Sequence, residues 1–227
     1  REYGVIEGTD LDQMVDTATA FTYCKLPAGR RVGVISNSGG GAVWLSDMLT
    51  THGLEIVPFD ADTRTEIEGM LPSYGAAMNP VDLTGSPVRE VGYARFVDIA
   101  ARCETVDIVI VVGSLAYEYV IEKDREAFAR IRSQSDKPIL FCAYTTASPR
   151  AVELLASAGI PAYTSMPNCV RAVRALADYA AFKERWERDR GRGSARPHDI
   201  TAATVESVNK QLRAGAQVLT EAGSKAI

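Results

Sequence analysis

The sequence holds few of the side chains that enzymes use for proton transfer and nucleophilic attack. Only two of its 227 residues are histidine, His52 and His198. His52 falls between Thr50-Thr51 and Gly53, at the end of an apolar stretch with helical spacing, where the ring meets the negative end of the peptide dipole and acts as a cap. His198 lies in a charged stretch without apolar period and is assigned no role. With no base beside a serine or cysteine, neither a Ser-His-Asp nor a Cys-His constellation can be assembled. No catalytic residue is therefore expected in this chain.

The other shortages narrow the class. Cys24, Cys103, Cys142 and Cys169 are widely scattered with no CxxC pair, which argues against a metal site and reads as reduced, mostly buried thiols of a cytoplasmic protein. The 25 basic and 29 acidic residues leave a net charge of -4, so no nucleic-acid surface is implied. No apolar run approaches transmembrane length and no signal peptide opens the chain, so no membrane partner is expected. What remains is an ordinary globular composition, long enough for one well-filled domain plus appendages or for two small domains.

The organising stretch is Val32-Gly33-Val34-Ile35-Ser36-Asn37-Ser38-Gly39-Gly40-Gly41, followed by an apolar run that ends at Gly53. It reads as strand, loop and helix. A helix start presents unpaired N–H groups and the positive end of the dipole, which suit a phosphate or carboxylate. The loop is neither G-x-G-x-x-G nor a P-loop with its Lys-Ser/Thr, so neither NAD nor a nucleoside triphosphate follows from it. Two readings stand at this point: an anion seat, or a glycine turn that lets a helix pack close to a sheet. Ser38 is a candidate helix cap, and Asp82, at the end of a short strand, either faces the glycine loop or caps its own turn.

Elsewhere strands and helices alternate. A first helix is expected over Asp10–Phe21, with Leu11, Met14, Val15, Ala18 and Phe21 as its apolar face. Further strands are expected at Leu54–Val57, within Asn79–Gly85, and at Val106–Val112, Pro138–Tyr144 and Ile160–Tyr163. Further helices are expected at Asp60–Leu71, Pro87–Cys103, Lys123–Ser133, Pro149–Ala158 and Pro167–Trp186. This alternation predicts an α/β fold, a doubly wound, flavodoxin-like parallel sheet with helices on both faces. Ligands then bind at the carboxyl ends of the strands, where the loops Asn37–Gly41, Asp82–Ser86, Gly113–Tyr117 and Tyr144–Ser148 converge. Residues 1–29 form a leading helix, 30–182 the domain, 183–200 a charged, exposed linker, and 201–227 the start of another region, with helices over Ala202–Ala214 and Val218–Ile227. The chain opens on Arg1 and breaks off inside a helical pattern, as a piece of a longer polypeptide would.

The motif series Arg30–Gly41, Asn79-Pro80-Val81-Asp82, Lys137-Pro138-Ile139 and Gly159-Ile160-Pro161-Ala162-Tyr163 resembles the second flavodoxin-like domain of NDP-forming acyl-CoA synthetases, relatives of succinyl-CoA synthetase. The likeness runs from about Tyr3 to Tyr179, and Leu219–Lys225 is similar to the opening of that family's ATP-grasp domain. It implies the reaction of a carboxylic acid, CoA and ATP to acyl-CoA, ADP and phosphate through an acyl phosphate and a phosphorylated histidine. The parent would use ATP, Mg and CoA, while this domain alone binds no cofactor and is inactive. Its partners would be the CoA-binding and phosphohistidine domain and the ATP-grasp domain, on the same chain or another, in a possible oligomer. The resemblance places Asn37, Ser38, Gly39, Gly40, Gly41, Asn79, Asp82, Gly113, Ser114 and Leu115 at the phosphate and substrate site, with the helix start after Asn37 pointing at the phosphohistidine. A free-standing module for a phosphorylated ligand or a regulatory pseudo-synthetase region is the alternative. A flavin module and a signalling receiver fit less well, since the loop lacks both a Ser/Thr run and an acid pair.

Overall fold

The structure, a computed structural model, describes residues 4–190 together with Val205, Glu206, Asn209, Lys210 and Arg213. The chain divides into two units, residues 1–184 and 185–227. From the amino end the elements are α1 (Leu11–Tyr23), β1 (Arg31–Ser36), α2 (Gly39–Thr51), β2 (Glu55–Ile56), α3 (Ala61–Glu68), β3 (Val81–Asp82), α4 (Gly85–Glu90), α5 (Tyr93–Arg102), β4 (Ile108–Gly113), α6 (Glu118–Gln134), β5 (Ile139–Ala143), α7 (Pro149–Ser157), β6 (Ala162–Tyr163) and α8 (Met166–Arg190).

All strand pairings are parallel, in the order β2-β1-β4-β5-β6. The side chains alternate between two cores, as a period of two requires. Ile35, Val109 and Val111 face one core with α5, α6 and α7, whereas Val32, Val34, Ile108, Ile110 and Val112 face the other with α2 and α8. Burial on both faces explains the unbroken β-branched run of β4, whose six residues are all buried. The doubly wound parallel sheet expected from the alternation is the observed fold. Strand order reverses between β1 and β4, so the ligand crevice of such a sheet lies at their carboxyl ends.

β2 and β3 share one edge of β1. β2 pairs with Arg31 and Val32, and β3 with Ile35 and Ser36. The gap between them is closed by a side chain. Asn79 Oδ1 accepts from the Val34 N–H at 2.9 Å, and Nδ2 donates to the carbonyls of Val32 and Val57 at 2.7 Å each. Asn79 thus replaces missing strand backbone, and both its amide protons are taken by the sheet.

Three local expectations change. The single helix expected over Pro87–Cys103 is broken at Gly92, whose φ is 95°. The buried carboxylate of Asp124 accepts from the Ala94 N–H at 3.0 Å and starts α5 anew. A Cβ on Gly92 would lie 2.2 Å from Asp124 Oδ1, so only glycine fits. Secondly, α8 runs on to Arg190 through the first part of the expected linker. Lys, Glu and Arg favour helix, and no glycine or proline interrupts them before Gly191. The rest of that linker and the helix expected at Val218–Ile227 lie outside the described residues; within Ala202–Ala214, the five that are described are helical. Thirdly, α1 is turned over. Gln13, Thr17 and Ala20 are its buried positions, while Leu11, Met14, Val15 and Ala18 are exposed. Specific bonds hold it so: the Tyr163 hydroxyl donates to the Asp16 carbonyl at 3.0 Å, Asn168 Nδ2 donates to the Asp16 carboxylate at 2.8 Å, and the Phe21 and Tyr179 rings meet edge-on at 5.4 Å.

One cap carries a pH prediction. Asp60 begins α3 by accepting from the Thr63 N–H at 2.8 Å, and the Cys103 thiol donates to its other oxygen at 2.9 Å. The thiol bond first, then the N–H, hold the carboxyl down at about 2. Since the unfolded value is about 3.9, the stabilisation is in place above that pH and is lost as the pH falls through the folded value. Asp60→Ala is expected to cost about 1 kcal/mol at neutral pH. In urea titrations the gap between variant and wild type should shrink steadily below pH 4, as about 3.9 is the unfolded pKa; a gap constant with pH would refute this origin.

Candidate functional site

At the carboxyl end of β1 the chain must turn within three residues to enter α2. The fully buried Ser36 hydroxyl makes this turn: it lies 2.9 Å from both the Ser38 and Val112 carbonyl oxygens and accepts from the Ser38 N–H at 3.0 Å. Ser38 is the N-cap, with Oγ accepting from the Gly41 N–H at 3.3 Å. The three glycines then differ in role. At Gly41 a Cβ would stand 3.4 Å from Val112 and from Ser38 Oγ, an ordinary packing contact. At Gly40 it would meet nothing within 4 Å. At Gly39 it would lie 2.7 Å from Asp82 Oδ2. Among the described residues the Gly39 and Gly40 N–H groups have no hydrogen-bond acceptor. Gly41 thus lies in ordinary contact with β4, while Gly39 and Gly40 leave donors at the positive end of a thirteen-residue helix.

Around this helix start stand polar groups from four strand ends. The Tyr144 hydroxyl donates to Asn37 Oδ1 at 3.3 Å, leaving the Asn37 amide N–H groups available. The Ser114 and Thr145 hydroxyls are 3.1 Å apart, and Ser114 Oγ also accepts from the Ala116 N–H at 3.3 Å. Asp82 Oδ1 accepts from the Thr84 N–H at 3.0 Å, so this carboxylate caps its own turn as well as flanking Gly39. Thr84 is β-branched with a φ of 59°, and its buried hydroxyl has no partner; strain of this kind gathers at functional loops. Beyond Tyr144 an open groove of about 660 Å³ is lined by Trp44, Thr145, Thr146, Thr164, Ser165 and Met166 among others.

Seven of the ten expected residues, Asn37 to Gly41, Asp82 and Ser114, thus share the carboxyl edge of β1, β3 and β4. The other three serve the fold. Asn79 completes the sheet. Leu115 is fully buried in the core. Gly113 is held by packing, since a Cβ there would lie 2.6 Å from the Tyr93 hydroxyl and 2.7 Å from the Phe141 ring. Thr84, Tyr144 and Thr145 lie in loops expected at this edge, but the sequence did not single them out, and Trp44 was not expected there. The Tyr144-Thr145-Thr146 run at the end of a buried strand was the available signal; the backbone angle of Thr84 has none. Asp82 is the only charged side chain among Asn37–Gly41, Asp82, Ser114, Tyr144 and Thr145. Among the described residues, no three of His, Cys, Asp and Glu are grouped to hold a metal ion, and no helix is long and apolar enough to cross a membrane.

The profile of the Ligase-CoA domain matches residues 32–190. The chain belongs to the Ligase-CoA domain family. It is 30% identical over 187 residues to the alpha subunit of an ADP-forming acetate–CoA ligase II from Pyrococcus furiosus, covering 79% of this chain and 40% of that subunit. It is 28% identical over 190 residues to an ADP-forming acetate–CoA ligase II from Archaeoglobus fulgidus, covering 79% of this chain and 27% of that enzyme. The crystal structure of PH0766 from Pyrococcus horikoshii OT3 superposes with a TM-score of 0.71 at 29% identity, covering 78% of this chain and 42% of the other. A dinucleotide-forming acetyl-coenzyme A synthetase 1 from Ca. Korarchaeum cryptofilum, in complex with phosphate and ADP, gives a TM-score of 0.70 at 21% identity over 85% of this chain, and shares the fold. This Ligase-CoA chain spans about 40% or less of the curated relatives named.

Proposed function

We propose that this Ligase-CoA domain works within an ADP-forming acyl-CoA ligase and seats the phosphoryl group that passes between the enzyme's reaction centres. The observation that carries the reading is the start of α2, where two free N–H groups and an open Gly40 sit among Asn37, Ser114 and Thr145 at the switch point of the sheet. Aligned peptide dipoles and preorganised N–H donors stabilise a phosphoryl group without offering a competing nucleophile. The Asn37 amide would add a donor, and the Ser114–Thr145 hydroxyl pair could turn a proton toward a phosphoryl or carboxylate oxygen. Asp82 would act indirectly by ordering the turn beside Gly39.

The phosphoryl carrier would be a histidine on another domain, as the resemblance to the acyl-CoA synthetases implies. The donor set does not suit the parent's other ligands. It includes no lysine or arginine for a nucleotide phosphate chain and no acid cluster for Mg²⁺ among the described residues, so ATP, Mg²⁺ and CoA would be held by other domains. The substrate class would be a carboxylic acid, and this chain alone would form no acyl-CoA.

Asn37→Asp in the full-length ligase tests the reading. It keeps the oxygen that Tyr144 donates to, and replaces a donor with a negative charge beside the seat. About a 100-fold fall in turnover is expected, as for loss of a single charge-stabilising donor, with a higher KM for phosphate in the reverse direction and an unchanged melting temperature. Unaltered kinetics would remove the phosphate seat from this helix start.

A further inference from the structure

The outward face of α1 is an apolar stripe with nothing over it among the described residues. Leu11 is 77% exposed, Met14 55% and Val15 64%, with Ala18 completing the i, i+3, i+4, i+7 pattern. Val5 at 67% and Ile6 at 39%, in the segment leading into the helix, are exposed as well. A helix of a soluble domain normally turns such a stripe inward. Here the opposite face is pinned, by the two bonds to Asp16 and the Phe21–Tyr179 contact. The stripe is thus held in place while facing outward, and a contiguous apolar patch of this kind marks a contact surface.

The stripe also has a charge signature. Besides Asp16, which is turned toward Asn168, residues 4–23 contain Glu7, Asp10 and Asp12, all exposed, and no lysine or arginine. A matching surface is an apolar groove with a basic rim.

The area decides between occupants. Two copies meeting stripe to stripe would bury only one face of three helical turns each, well under the roughly 800 Å² per partner of a stable interface. A domain tethered in the same polypeptide needs far less, because the tether supplies an effective concentration near millimolar. The curated relatives named above leave 60% or more of their length outside the matched region, which is room for such a domain, and α1 lies outside residues 32–190, the part that matches the Ligase-CoA profile.

We propose that Leu11, Met14, Val15 and Ala18 form the docking face for a further folded domain of the same polypeptide, which receives α1 in an apolar groove rimmed by lysine or arginine. The mode is a helix laid in a groove by its i, i+3, i+4 and i+7 anchors. The proposal is independent of the phosphate seat, and the two fail separately.

Solvent access to the stripe tests it. Val15→Cys is introduced into the full-length polypeptide and into this 227-residue chain, and labelling by a maleimide is timed in each. Oxidation of Met14 by hydrogen peroxide in the wild-type proteins gives the same comparison without a substitution. Both reactions are expected to be at least about tenfold slower in the full-length polypeptide, as for a site released only by local opening, with the shorter chain reacting at one rate at all concentrations. Equal rates in the two proteins would overturn the proposal. So would slow reaction in the 227-residue chain, which at high concentration alone would mean a second copy and at every concentration would mean the chain's own tail.

Discussion

On the proposed phosphate seat, Gly40→Glu in the full-length polypeptide is expected to lower turnover, and phosphorylation of the proposed carrier histidine, by about 100- to 1,000-fold, the scale of losing a preorganised oxyanion donor. The physical case rests on where a side chain at this position would go. A Cβ on Gly40 meets no atom within 4 Å, so the glutamate is accommodated and its carboxylate competes for the N–H groups of Gly39 and Gly40. The same carboxylate suits the positive end of α2, by about 0.3–1 kcal/mol, and replacing glycine in a helix gains a similar amount. The melting temperature should therefore hold or rise while activity collapses. Gly40→Ala separates charge from bulk, and should keep most of the activity. Turnover unchanged in Gly40→Glu would show that this helix start faces no reacting phosphate, whatever its geometry.

Gly113→Ala is expected to destabilise the domain by about 3 kcal/mol, at the upper end for overpacking a core by one methyl. The new Cβ would stand 2.6 Å from the Tyr93 hydroxyl, 2.9 Å from Tyr93 Cζ and 2.7 Å from Phe141 Cζ. Neither ring can move aside: both are buried, and they already pack edge-on at 5.3 Å and 88°. Equilibrium unfolding in urea measures the loss. Gly113→Ala with Phe141→Leu should be less destabilised than the sum of the two single variants, because the second change makes the room that the first needs. Strict additivity would show that Gly113 is required for some other reason.

These two glycines show how far residue type alone can be read. Gly113 ends β4 and Gly40 lies in the first turn of the helix after β1, and both were expected at the binding site. Gly40 is glycine in open space, while Gly113 is glycine because two rings from α5 and β5 press against it. No local pattern distinguishes these cases, since the rings arrive from residues 20 and 28 positions away. Asn79 is a similar case. An asparagine before a proline reads as a turn, and only the interrupted edge of β1 gives its amide three backbone partners.

The sequence by itself determined the class of fold. Runs such as Ile108–Val112, with residues fit for burial on both faces, alternating with helical stretches, leave little but a parallel sheet wrapped on both sides. It also determined the strand-loop-helix unit from Val32 to Thr51, because cap, glycine and β-branched signals there are local. The resemblance carried by the ordered motifs added the ligase family. Tertiary structure alone decided which polar residues stay free. It assigned Asn79 and Gly113 to the sheet and the core, broke one expected helix at Gly92 through a carboxylate from α6, and turned the apolar face of α1 outward. Hydrophobic periodicity records that a helix has an apolar face, but not what covers it. The direction was set by Asp16 and Phe21, whose partners lie more than 140 residues away.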